Sequence, residues 1–164
     1  MRIIYPDKEF TALQAELKDR PLKSIFLAGT IDNGDSSDWQ NDLIKSLESS
    51  DDKLKNYLTI YNPRRHNWDN NVGEKLIENQ IKWEQDNLDN ADIIAMVLQD
   101  NSKSPVSLLE LGLYATSGKL VVFCTNKFYR YDNIRLTCSK YNIPLYNTTN
   151  IKYITDELIN ILNK

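Results

Sequence analysis

Four short runs along the chain are apolar at consecutive positions rather than at alternate ones: SIFLAG (24–29), YLTIYN (57–62), ADIIAMVL (91–98) and KLVVFCT (119–125). A strand with one wet face alternates apolar and polar residues. A strand covered on both faces does not, so these runs predict buried strands of a parallel sheet. A shorter run, IPLYN (143–147), predicts a fifth. The segments between them follow a helical period instead. SSDWQNDLIKSLES (36–49) sets Trp39, Leu43 and Leu47 at i, i+4 and i+8. GEKLIENQIKWEQDNLDN (73–90), SPVSLLELGLYATSGK (104–119), DNIRLTCSKYN (132–142) and the closing YITDELINILNK (153–164) predict further helices. Strand alternating with helix predicts an α/β doubly wound sheet, mainly parallel, of about five strands with right-handed crossovers. With no internal repeat or interdomain linker, 1–164 reads as one domain. Residues 1–21 read as an N-terminal extension, which would add an edge strand and a short helix.

In such sheets ligands bind outside the carboxyl ends of the strands. That rule selects the loops GTIDNGDSSD, NPRRHNWDNN, QDNSKSP and NKFYRYDN. The helix leaving the third loop carries an anomaly. Ser104 suits its cap, Pro105 its first turn and Gly118 its end. Val106, Leu108, Leu109, Leu111, Leu113, Tyr114 and Ala115 make it apolar on nearly every side, which predicts a helix buried all round. Yet Glu110 stands in its second turn, with no Lys or Arg three or four positions away. Either the carboxylate reaches a surface or a distant Arg, or it is kept there to attack an electrophilic carbon. Gly112, costly inside a helix, suggests a close backbone approach. Tyr114 and Ser107, each about a turn away, are candidates to orient Glu110.

Gln80, Glu84 and Asn87 share one face of the preceding helix, with Asp86 roughly opposite Glu84. Such a run is either a solvated acidic face or, beside Glu110, the second carboxylate that retaining glycosyl transfer requires. Gly29 opens a turn where a ligand approaches the backbone, or is an ordinary glycine turn; neither a dinucleotide fingerprint nor a P-loop is present. Arg64, Arg65 and Trp68 follow the second strand, suited to a phosphate and a base, or to a plain surface loop; His66 reads as a loop residue.

Composition narrows this further. Apolar residues are 41% and charged residues 26% of 164, ordinary for a globular protein. A net charge of -3 gives no electrostatic reason to expect nucleic acid. One His and two scattered cysteines, Cys124 and Cys138, predict no metal site, no cofactor held by one and no disulfide, and so a cytoplasmic protein with reduced thiols. The opening residues lack a signal-peptide pattern and no run reaches membrane-spanning length, so no membrane partner is expected.

SIFLAGTIDNG, DWQ, YNPRR, IKWE, ADII, SPVSLLELGLYATSGK and FYRYDNI occur in an order that resembles the nucleoside 2-deoxyribosyltransferase-like family, over about residues 22–146. The resemblance implies a flavodoxin-like fold and a nucleoside or nucleotide substrate. The wider family includes transferases and deoxynucleoside 5'-monophosphate N-glycosidases, so the resemblance implies transferase or hydrolase chemistry in nucleotide metabolism. It implies that Glu110 is the nucleophile and that an acid before the ADII strand serves the leaving base. Counting back from Ala91 puts that acid at Glu84, where the family has Asp; counting back from Glu110 puts it at Asp86. The first count is preferred, because helix and strand stay in register while the loop 99–104 varies. The turn Gly29, Thr30 and Ile31 would line the site, Ser104 would hold the 5' end of the sugar, and Asn133 would be lent by a neighbouring subunit of a homo-oligomer. Two other readings stay open: a nucleotide-binding sensor or interaction module without turnover, and a glycohydrolase of NAD-like dinucleotides.

Overall fold

The computed structural model describes residues 1–6, 23–50, 53–65 and 73–164. Among them, strands β1 (Arg2–Ile4), β2 (Lys23–Gly29), β3 (Leu58–Tyr61), β4 (Ile93–Leu98), β5 (Leu120–Cys124) and β6 (Leu145–Tyr146) form one sheet. Its order is β1-β3-β2-β4-β5-β6 and every pairing is parallel. The four non-alternating runs are its centre, and their residues are almost all buried, as strands covered on both faces must be. The fifth run shrinks to the two residues of β6, because Pro144 cannot donate to a ladder. The N-terminal extension supplies the outer strand β1 beside β3. The short helix expected after it falls outside the described residues.

Helices α1 (Trp39–Ser50) and α6 (Ile151–Leu162) cover one face of the sheet. Trp39, Leu43, Leu47, Ile154 and Leu158 pack there on Ile25, Leu27, Ala95 and Phe123, together with Leu54 of the short α2 (Leu54–Tyr57). Helices α3 (Glu74–Asn90), α4 (Pro105–Tyr114) and α5 (Tyr131–Tyr141) cover the other. Trp83, Leu88, Leu111, Ile134 and Cys138 meet Phe26, Ile94, Met96 and Val122. Local chemistry sets the ends. The Asp38 carboxylate accepts from the Asn41 amide at the start of α1, and Asn142 takes φ +57° to close α5. No described helix is long and apolar enough to cross a membrane.

One expectation fails. Helix α4 is not buried all round: Val106, Leu109 and Leu113 are 59%, 63% and 63% exposed. The sheet has only one layer of helices on this face, so α4 buries the Ser107–Leu111 side and turns the rest outward. Gly112 lies on that outer side and nothing within 4 Å would meet an added Cβ, so no backbone approach within the chain explains it.

Chain order reverses between β2 and β4. The chain leaves β2 for β3 on one side, then crosses back to β4 on the other. The crevice above such a switch point is where doubly wound sheets take ligands.

Candidate active site

The crevice is framed first by Gly29 at the end of β2. Its φ is +132°, and an added Cβ would stand 2.0 Å from the carbonyl oxygen of Val97 in β4. Glycine is required here by the neighbouring strand, and the position also lines the cavity. The next residue, Thr30, is fully buried; its amide donates to Val97 O at 3.0 Å and its carbonyl accepts from Trp39 Nε1 at 2.8 Å. The chain then runs through a tight turn with Asp32 and Asn33 at φ +49° and +54°. Arg64 holds that loop. Its Nη2 donates to Gly34 O at 2.9 Å and Ser36 O at 2.8 Å, and its Nη1 donates to Ser36 Oγ and Ser37 O. Asp38 lies 3.6 Å from its Nε. The guanidinium is thus spent on loop carbonyls, a different task from the phosphate contact expected of it.

Below this turn lies a cavity of about 540 Å³, walled by β2, α3 and α4. Glu110 and Glu84 both line it. Asp86 does not; it is exposed on another side of α3. Burial pushes the Glu110 carboxyl up to about 8, and the charge of Glu84 pushes it the same way. Burial also raises Glu84, against a hydrogen bond from Gln80 and the positive charge of Arg65. That bond is part of a relay. Arg65 Nε donates to Gln80 Oε1, which leaves the Gln80 amide nitrogen to donate to Glu84 Oε1 at 2.7 Å. Glu110 has no such partner among the described residues. The Tyr114 hydroxyl, expected to orient it, donates instead to Asp89 at 2.6 Å. Ser107 is buried and lines the cavity but makes no hydrogen bond to it. Both carboxyls are desolvated and so resist ionisation, but only Glu84 has a hydrogen-bond donor to support its charge among the described residues.

Ser104 caps α4 in an unexpected way. It sits at φ +41°, ψ +52°, a left-handed conformation rare for a serine, and its hydroxyl makes no capping bond. The hydroxyl joins Thr30 Oγ1 at 2.7 Å and Ser102 Oγ at 2.8 Å instead. Ile31 and Arg65 line the cavity with it. Asn133 is exposed at the start of α5 and does not line it. His66 and Trp68 lie outside the described residues. Gln80, Asp32 and Ser102 were not singled out as site residues from sequence; only the i, i+4 spacing of Gln80 and Glu84 hinted at the first.

Large apolar side chains stand exposed near the mouth, beside the exposed polar Asp32 and Asn33. Leu76, Ile77 and Ile81 of α3 face outward, as do Val106, Leu109 and Leu113 of α4. Ile77, Ile81 and Val106 are also part of the cavity wall.

No curated protein matches the chain. The family model described as "nucleoside 2-deoxyribosyltransferase like" matches residues 22–128, from the residue before β2 into the loop after β5, and so spans the switch point, both glutamates and Ser104. On that match the chain belongs to the nucleoside 2-deoxyribosyltransferase-like family.

Proposed function

We propose that the protein cleaves the N-glycosidic bond of a nucleoside or nucleotide through a covalent glycosyl ester on Glu110, and passes the sugar to another base or to water. The observation that carries this reading is the pair of desolvated carboxyls, Glu110 and Glu84, facing one cavity at the switch point. In the first step a Glu110 oxygen forms a bond to the anomeric carbon while the bond to the base nitrogen breaks. The leaving base takes its proton from Glu84. In the second step the acceptor attacks the same carbon, the ester bond breaks, and Glu84 takes the acceptor's proton. Two inversions retain the configuration of the sugar.

Glu84 has the Gln80 hydrogen bond and the Arg65 charge to support its ionised form and Glu110 has no such support among the described residues, so before substrate binds a proton on the pair favours Glu110. Positive charge developing at the anomeric carbon favours ionised Glu110, so substrate reverses that preference and leaves Glu84 as the acid. Gln80 then orients Glu84.

The exposed apolar residues of α3 (Leu76, Ile77, Ile81) and α4 (Val106, Leu109, Leu113) support a homo-oligomer in which a second copy covers the mouth of the cavity, because three of them, Ile77, Ile81 and Val106, also wall that cavity.

Base release from a panel of nucleosides and 5'-monophosphates, with and without a second base, tests the activity. Glu110→Gln is expected to abolish release. Mass spectrometry with a slow substrate analogue is expected to find one sugar on Glu110. Undiminished release by Glu110→Gln, or an adduct on another residue, defeats the mechanism. Tight nucleotide binding with no release at all would favour the sensor reading.

A further inference from the structure

The side-chain amide of Gln80 has two possible orientations, and three neighbours select one. Arg65 Nε carries a hydrogen and no lone pair, so it must meet the amide oxygen, and Gln80 Oε1 accepts from it. The amide nitrogen then faces two acceptors, Glu84 Oε1 at 2.7 Å and the Pro63 carbonyl at 3.4 Å. Turning the amide over would set its N–H groups against the guanidinium and its oxygen against the Pro63 carbonyl. Of the three neighbours, only the Glu84 carboxyl can reverse its role: once protonated it is a donor, and a turned amide oxygen would accept from it. Arg65, which keeps its charge and its donors at any working pH, removes that alternative. The loop that carries Arg65 is fixed in turn. The Asn62 backbone amide donates to Ile4 O at 2.9 Å, Asn62 Oδ1 accepts from the Arg64 backbone amide at 3.0 Å, and the Arg64 side chain is tied to the loop after β2.

We propose that Arg65 is a positioning residue for the proton of Glu84: by holding Gln80 with its N–H toward Oε1, it leaves Oε2 as the oxygen that carries the transferable proton. The inference rests on the glycosyl-transfer reading for the recipient of that proton, the leaving base. A carboxyl whose Oε1 accepts at 2.7 Å keeps its hydrogen on Oε2. In the first step that hydrogen passes from Oε2 to the base nitrogen as the glycosidic bond breaks. The charge left on the carboxylate meets a Gln80 N–H that is already in place. With the amide turned over, the hydrogen would lie between Glu84 and Gln80 Oε1, donated to a neighbour and withheld from the substrate. The charged groups that line the cavity with Glu84 among the described residues are Arg65, Asp32 and Glu110. The two acids oppose a further negative charge, so Arg65 is the one that favours the charge Glu84 takes up. Arg65 thus acts through Gln80 and Glu84, a different task from holding a phosphate of the substrate.

The test compares wild type with Arg65→Met and Gln80→Met, which keep side-chain length and remove the donor or the amide. Carbon NMR of the Glu84 carboxyl across pH, without substrate, is the first readout. Its midpoint is expected to rise by about half a pH unit or more in both variants. The second readout is kcat/KM for a nucleoside with a poor leaving base and for the 4-nitrophenyl glycoside of the same sugar, whose leaving group departs without a proton. Both variants are expected to slow the nucleoside by about tenfold or more and to leave the nitrophenyl glycoside nearly unchanged. Arg65→Met is expected to lose most of its effect where Gln80 is already Met. Equal slowing of both substrates would make Arg65 merely structural and overturn the proposal. So would an unmoved Glu84 midpoint with a loss confined to monophosphates. A raised midpoint in both variants, with no base release by the wild type, would keep the coupling of Arg65 to Glu84 and defeat the proposed reaction. In the wild type alone, the nitrogen NMR signal of the Gln80 side chain is expected to follow the Glu84 titration. A signal indifferent to it would overturn the proposal even should both variants fail to fold.

Discussion

Glu110 is a carboxyl whose environment opposes its charge. Its pKa is raised from an ordinary value of 4.5 to about 8, so the folded state binds a proton there that the unfolded chain has already released. Stability linked to this group therefore falls as pH rises from about 4.5 to about 8, by at most roughly 1.4 kcal/mol per unit. Glu110→Gln removes that loss. Its melting temperature is expected to exceed the wild-type value by a few degrees at pH 8 and to match it near pH 4.5. An equal shift at both pH values would mean that the carboxyl is not desolvated. The same proton serves the reaction: it must pass to Glu84 to reach the leaving base, so kcat/KM is expected to fall as pH rises through about 8, where Glu110 gives it up. Glu84→Gln removes the acid and one of the two causes of the raised value, so the residual kcat/KM, which needs only ionised Glu110, is expected to rise with pH through a value below about 8. Turnover is expected to slow most for poor leaving bases, while Asp86→Asn changes neither. Both effects appearing in Asp86→Asn and not in Glu84→Gln would move the acid's role to Asp86.

At the scale of elements, the site depends on how closely β2 and β4 approach at their carboxyl ends. Gly29 allows that approach, and the nearest obstacle to a side chain is the Val97 backbone, which cannot swing aside. Gly29→Ala is expected to cost about 3 kcal/mol or more in urea unfolding, through a forced strand shift and a positive φ. A cost under about 1 kcal/mol would show that the crossing is looser than it looks. Arg64 acts on the next element, binding three loop carbonyls and a serine hydroxyl. Arg64→Ala is expected to weaken nucleosides and nucleotides alike, because what it loses is loop order. Loss confined to monophosphates would instead point to a direct phosphate contact.

Across the whole molecule, the cavity opens between two helices that each expose large apolar side chains. Charges at Leu109 and Leu113 would do little to a monomer, because both side chains are 63% exposed and pack on nothing that their loss would empty. In an oligomer joined by this face they would be buried unpaired. Leu109→Glu with Leu113→Glu is expected to yield a folded monomer in light scattering and to lower base release strongly. A wild-type monomer with full activity would remove any role for a second copy.

What the amino-acid order determined alone was the periodic part. Doubly buried strands leave apolar runs and helices leave a 3.6-residue repeat, so β2 to β5 were legible within two residues and the main helices in their places, although α1 starts three residues late, at Trp39, α4 ends at Tyr114 rather than near Gly118, and the short α2 left no signal. The oddity of Glu110 was legible too, because a carboxylate among leucines is anomalous wherever the helix sits. The register that matched Glu84 to Glu110 rested on counting; of the two acids so counted, Glu84 lines the cavity with Glu110 and Asp86 does not. Tertiary structure alone decided what depends on direction. Whether Tyr114 meets Glu110 or Asp89, whether Arg64 faces a ligand or a loop, and which side of α4 lies bare are set by packing between elements distant in sequence. The hydrogen-bonded row of Thr30, Ser104, Ser102 and Asp32 is the clearest case. Its four hydroxyl and carboxyl groups come from two loops some seventy residues apart, and no local pattern records that they touch. The direction of each proton follows only once all four stand together, because a hydroxyl's choice to donate or accept is made by its neighbours.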